Sequence, residues 1–143
     1  KESGEASLTD SKQMVEDFFQ GSKVTLDWPE SHTDASGVSL SLRMMRLLFN
    51  LLIVAAASLL KGGAIHIRIM QEGESGKRIE IKATGDAVKW DAETEALLTR
   101  PHEISVITPK TVQLYLTYRL SEELGAKLSF SAGTNELTIC AMQ

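Results

Sequence analysis

A chain of 143 residues, 43% hydrophobic and 24% charged with a formal net charge of -4, fits one soluble globular domain and excludes a disordered tail or a collagen-like repeat. The acidic balance, with a pI near 5.4, speaks against a duplex nucleic-acid surface, which needs clustered Lys and Arg, so no nucleic-acid partner is expected. One cysteine, Cys140, cannot close an intramolecular bridge, which favours a reducing compartment and a cytoplasmic location.

Helical spacing of Met14, Val15, Phe18 and Phe19 behind the N-cap candidates Ser7 and Thr9 predicts a helix over 8–20, stopped by Gly21. Val24, Leu26 and Trp28 alternate with Thr25 and Asp27, the period of a half-buried strand that Pro29 ends, and 30–37 reads as a polar loop. A long helix is expected over 39–61, apolar on most of its circumference after Leu47 and terminated by Gly62-Gly63. Such a helix should be packed on nearly every side. Its apolar run from Leu47 to Leu60 is broken by Asn50 and Ser58 and is shorter than the ~20 residues that span a bilayer, so no membrane association is expected.

Ile65, Ile67 and Ile69 form a hairpin with Ile79 and Ile81 across a loop carrying Gly73 and Gly76. A short helix capped by Asp91 follows over 91–98, and 99–107 is a connector without assigned structure. Thr108 before Pro109 marks the start of a helix reaching Leu124, with Gly125 as its stop. Leu128 and Phe130 then pair through Gly133-Thr134-Asn135 with Leu137 and Ile139. Strands of alternating polarity need cover on one face, and two long helices can supply it. The expected fold class is α+β, a two-layer α/β sandwich forming a single domain over 1–143.

Three blocks carry a resemblance: Leu47 to Ala55 running into Gly62-Gly63-Ala64-Ile65-His66-Ile67, then Ile79 to Gly85, then Gln113 to Phe130. Together they resemble the ATP-binding domain of histidine kinases, the GHKL or Bergerat fold. Val24 to Trp28, Ala55 to Gly63 and Thr111 to Leu116 look like the C-terminal domain of the ChpT-type histidine phosphotransferases of alphaproteobacteria. That resemblance implies a degenerate ATPase-like domain in a protein that passes phosphoryl groups from a hybrid histidine kinase receiver to response regulators. It implies partners of the receiver class, and a homodimer made by an N-terminal helical hairpin that carries a phosphorylated histidine in a His-Asp pair. The chain begins Lys1-Glu2-Ser3 and has no His-Asp dipeptide, so the hairpin is expected to precede Lys1.

The departures from the kinase pattern bear on function. Asn50 matches the first asparagine of the resembled motif, but the magnesium-holding one falls on Val54, and an isopropyl group cannot ligate a cation that demands oxygen. The adenine-reading aspartate falls on Ala83, while Gly85 keeps its place. The phosphate-loop glycines fall on Thr111 and Gln113, inside a helix starting at Pro109, which leaves no flexible backbone to cradle phosphate. ATP binding, ATPase and kinase activity are therefore not expected, and no cofactor, metal-ligating or catalytic residue is assigned. The competing readings are an active GHKL ATPase, histidine kinase or anti-sigma kinase domain, and a scaffold outside any phosphorelay.

Among chemically capable residues, His66 lies between isoleucines and reads as a polar-face residue, His32 falls in the polar loop and His102 in the connector. No pair of them, alone or with Cys140, has a metal-site spacing. Glu72, Glu74, Asp91, Glu93 and Glu95 read as solvated surface. Asn50 is expected to hydrogen-bond a backbone group inside the core, Met44-Met45 and Phe18-Phe19 to be core or dimer surface, and Leu52 and Ile53 to be fully buried.

Overall fold

The computed structural model describes residues 5–33, 37–74, 76–100 and 108–143. In chain order these form β1 (Glu5–Ala6), α1 (Leu8–Phe19), β2 (Val24–Asp27), a 3-10 turn (Glu30–His32), β3 (Leu40–Ser41), α2 (Leu42–Ser58), β4 (Gly63–Glu72), β5 (Gly76–Thr84), α3 (Ala92–Thr99), α4 (Pro109–Leu124), β6 (Lys127–Gly133) and β7 (Glu136–Met142). Five strands build one sheet in the order β2-β4-β5-β7-β6. Only β2 runs parallel to its neighbour, β4, and the other pairings are antiparallel.

Alternation sorts this sheet into two faces. Register aligns Ile67, Ile81, Ile139 and Phe130 across four strands, with Ile69, Ile79, Ala141 and Leu128 in a second row, and the isoleucines in both rows are buried. These rows meet the helices. The intervening rows, Asp27-His66-Lys82-Thr138-Ser131 and Arg68-Glu80-Cys140-Ser129, stand on the opposite, polar face. The two-layer α/β sandwich is thus realised, with α2 packed on β4, β5 and β7, and α4 packed over α2 and α3.

The Gly62-Gly63 step has a steric cause. Both residues have positive φ, +79° and +148°. A Cβ on Gly62 would lie 2.5 Å from the Lys23 carbonyl oxygen, and one on Gly63 would collide with the Thr84 carbonyl oxygen. Glycine lets three backbone segments close on one another here.

Several boundaries differ from the sequence expectation. The long helix is shorter than 39–61 because Ser41 caps it, accepting from the Met44 N–H at 3.1 Å, and because Leu60 leaves the helix to donate its N–H to the Ala87 carbonyl at 2.9 Å. Leu40 and Ser41 instead pair antiparallel with Ala6 and Glu5. Trp28 lies just beyond β2; it is buried and donates its indole N–H to the His32 carbonyl at 2.7 Å.

The α2 helix is not enclosed on every side. Leu51, Leu52, Val54 and Ala55 are buried, whereas Asn50 and Ile53 are half-buried and Ala57 is exposed. Ile53 was expected to be fully buried. The pattern places it at the rim of an open cleft, because α4 covers only one flank of α2. Met44 and Met45 are core, and the Phe18-Phe19 pair divides: Phe19 is buried, Phe18 is 56% exposed and stacks edge-on against Phe49 at 5.2 Å.

Candidate functional site

Among the concavities of the described surface, two bear on function. The first, about 330 Å³, lies between the C-terminal half of α2 and the N-terminal ends of α3 and α4. Val54 and Leu114 give it an apolar floor, Ile53 and Ala57 an apolar rim, Trp90 supplies a wall, and Lys89, Lys110 and Gln113 stand among its lining polar groups. The second, about 520 Å³, lies on the polar face of the sheet and includes Asp27, His32, His66, Arg68 and Lys82.

The α2-α3-α4 cleft brings together two of the positions singled out from the sequence, Val54 and Gln113. Val54 is 5% exposed on its floor. Helix α4 starts at Pro109 behind a reciprocal cap: Thr111 donates its N–H to the Thr108 hydroxyl at 3.1 Å, and Thr108 donates its N–H to the Thr111 hydroxyl at 2.9 Å. Both orphan amides are satisfied, so this turn is closed helix. One turn in, the Gln113 amide nitrogen donates to the Asn50 carbonyl oxygen at 3.4 Å and to the Thr117 hydroxyl at 3.3 Å, tying α4 to α2.

Ala83 does not line the cleft; it is fully buried on the inner row of β5. Gly85 is held by packing: a Cβ there would lie 2.5 Å from the Gly62 carbonyl oxygen. Asn50 departs from its expected role. Among the described residues its side-chain amide makes no hydrogen bond, and only its backbone carbonyl is engaged, because residue 50 falls at the α2-α4 rim rather than inside the core.

The wall of the cleft is fixed from behind. Lys89 donates its N–H to the Ser58 carbonyl at 2.8 Å, and the Trp90 ring stacks on Phe130 with centroids 5.0 Å apart. The indole N–H donates to the Glu95 carboxylate at 3.0 Å. Asp91 caps α3, its carboxylate accepting from the Thr94 N–H at 2.8 Å. Asp91 is the helix cap expected from the sequence, whereas Glu95, expected to be solvated surface, has the Trp90 indole as partner.

Those Thr94 hydrogen bonds, the backbone one foremost, hold the Asp91 carboxyl below its ordinary range. A depressed carboxyl stabilises the fold above its unfolded pKa of ~3.9, and that contribution disappears as pH falls through the lower folded value. Asp91→Ala is expected to cost ~1 kcal/mol near neutral pH in urea denaturation, the usual loss for a helix cap. The deficit relative to the unsubstituted chain should narrow as pH drops below about 4.

Among the described residues the histidines, His32 and His66, form no catalytic group. His66 is the register partner of Asp27, and its Nδ1 lies 2.9 Å from the Asp27 carboxylate on the open sheet face, so it is a polar-face residue with a carboxylate neighbour that only the strand pairing supplies. Arg68 and Lys82 nearby face Glu80 and Glu136 at 3.6 and 4.0 Å; the hollow's cations already have carboxylate partners. His32 is a structural clip. Pairing of β2 with β4 stops at His66, and beyond it His32 Nδ1 accepts from the Ile69 N–H at 3.1 Å and lies 3.0 Å from its carbonyl oxygen. It occupies the place of a partner strand. His102 lies outside the described residues. Cys140 is buried, and desolvation pushes its thiol upward in pKa. Among the described residues no group of three or more His, Cys, Asp or Glu side chains could hold a metal ion, and no helix is long and apolar enough to cross a membrane.

Comparison with known proteins gives this geometry a context. The family described as histidine phosphotransferase C-terminal domain matches residues 8–136. The chain is 23% identical over 132 residues to protein phosphotransferase ChpT of Brucella abortus, covering 92% of this chain and 60% of that protein. A solved bacterial phosphotransferase superposes with a TM-score of 0.77 at 23% identity, over 96% of this chain and 64% of that one. The nucleotide-free catalytic domain of histidine kinase ThkA superposes at 0.69 with 15% identity, over 97% and 92% of the two chains. The fold is therefore that of histidine-kinase catalytic domains, and the chain spans about three fifths of the length of the phosphotransferases it matches.

Proposed function

The chain belongs to the family of histidine phosphotransferase C-terminal domains, and from that premise we propose that it is a docking domain that binds no ATP. In this reading it forms a single domain, and a longer cytoplasmic protein contributes the phosphoacceptor histidine on a helical hairpin that also makes the homodimer. The domain itself holds a partner receiver, first that of a hybrid histidine kinase and then that of a response regulator. Its contribution to phosphotransfer is proximity: a receiver held against the bundle delivers its aspartyl phosphate in an effectively unimolecular step.

The observation that carries the reading is Val54 on the cleft floor. It stands where the resembled kinases need an oxygen ligand for magnesium, and its apolar side chain is 5% exposed. The first turn of α4, where the Thr108-Thr111 cap engages the N–H of both threonines, supports it further, since those two amides are not free for a phosphate chain.

Magnesium with ATP or ADP is expected to leave the thermal midpoint of the chain unchanged, although a ligand at a hundred times its dissociation constant would add about 2.7 kcal/mol. A saturable shift would replace the docking reading with that of an active GHKL kinase or ATPase. In the same experiment series, incubation with a phosphorylated receiver should leave no acid-labile, base-stable label on His32, His66 or His102.

A further inference from the structure

We propose that the cleft between α2, α3 and α4 binds a small organic anion with an apolar or aromatic body, its charged end held between Lys89 and Lys110. This goes beyond receiver docking and does not depend on it.

The volume of about 330 Å³ lies at the lower end of small-molecule sites, roughly 300 to 1,000 Å³. Its interior is apolar where it abuts α2 and α4, through Ile53, Val54, Ala57 and Leu114, and aromatic where Trp90 closes it. That wall is preformed. The backbone before it is bonded to the end of α2 at Ser58 and Leu60, the indole is clamped between Phe130 and Glu95, and a ligand would pay little for ordering it.

Charge then selects the ligand. Lys12, Arg43, Arg68, Arg78 and Lys82 all face a carboxylate. Lys89 and Lys110 line the cleft, yet neither makes an ion pair among the described residues. The one carboxylate lining the cleft, Asp91, caps α3 through the Thr94 N–H and keeps its charge, which acts on both lysines, so the lining carries two cations against one anion. Lys110 also sits in the first turn of α4, where the helix dipole disfavours a cation unless an anion is near. Two ammonium groups set against a single carboxylate over an apolar floor leave a net positive charge that fits a carboxylate, sulfonate or monophosphate attached to a ring. With Val54 in place of an oxygen donor, the cleft does not suit a ligand that needs a bound magnesium ion.

The test uses 8-anilinonaphthalene-1-sulfonate as probe, with the whole chain followed by amide and indole proton-nitrogen correlation spectra. The expected result is a single saturable set of shifts centred on the Trp90 indole N–H and the Lys89, Lys110 and Gln113 amides. The double variant Lys89→Glu with Lys110→Glu should bind at least tenfold more weakly, as should the uncharged analogue N-phenyl-1-naphthylamine on the unsubstituted chain. Ala57→Trp, at an exposed position on the rim, should fold and abolish the shifts, while Phe18→Ala should leave the affinity unchanged. Shifts centred on Phe18 and Phe49, no saturation, or equal affinity for the charged and uncharged probes would overturn the proposal. Displacement of the probe by magnesium and ATP would overturn the docking reading while leaving the anion site standing.

Discussion

Gly63→Ala is expected to destabilise the chain by ~2 to 6 kcal/mol, the sum of forcing an L-residue into glycine-only backbone and of overpacking a closed contact. The residue has φ of +148°, and the new methyl would collide with the Thr84 carbonyl oxygen, which is backbone and cannot rotate away. This junction seats β4 between β2 and the end of β5, since Val24 pairs with Gly63 and Ala64 with Thr84. A shift there would therefore propagate into three strands. Gly21→Ala is the control: φ is +82° but nothing lies within 4 Å, so only the conformational cost of roughly 1 to 2 kcal/mol applies. Urea denaturation of both variants decides the matter, and equal losses would show that the contact with Thr84 is not what demands glycine.

The same junction shows why much of the fold was legible. Side chains at Ile65, Ile67, Ile69, Ile79 and Ile81 repeat with the pleat, and each is buried, so period alone assigned both strand and face. The two-residue strands at Glu5–Ala6 and Leu40–Ser41 are too short to have a period. The end of α2 was misjudged because it is decided far away in sequence, where the Ala87 carbonyl draws off the Leu60 N–H. His32 was illegible as a clip for a related reason: a loop histidine announces nothing until β2 stops short and exposes the Ile69 backbone.

The candidate site divides in the same way. Val54, Thr111 and Gln113 stand at positions of a resembled motif, and Val54 and Gln113 line the cleft. Ala83 stands at another such position but lies in the core. Lys89 and Trp90 match no motif and enter the site only once the segment ahead of α3 is bonded onto the end of α2. A signal was present nonetheless. Lys110, directly after Pro109, puts a cation on a helix N-terminus, where the dipole prefers an acid, and a residue placed against its local preference points to a role outside the helix.

Leu52→Ala is expected to cost ~2 to 5 kcal/mol, the range for deleting a fully buried aliphatic side chain and leaving a cavity. Leu52 is 0% exposed within the core that α2 and the sheet share, and close-packed neighbours would not collapse to fill the space. Its neighbour Ile53 should behave otherwise, because its side chain borders an open cleft and truncation leaves a surface that water can reach. A loss of about 1 kcal/mol is expected there, from reduced burial alone. Between these two lies Val54→Asn, which restores the magnesium-binding residue type of the resembled kinases at a position that is 5% exposed. An amide there meets the isopropyl's apolar surroundings and should destabilise by ~1 to 3 kcal/mol without conferring ATP affinity. Chemical denaturation of the three variants, each repeated with magnesium and ATP, separates the possibilities. If Val54→Asn were as stable as the unsubstituted chain and nucleotide raised its midpoint, the cleft would retain a working phosphate site, and the docking reading would give way to that of a kinase-type nucleotide-binding domain.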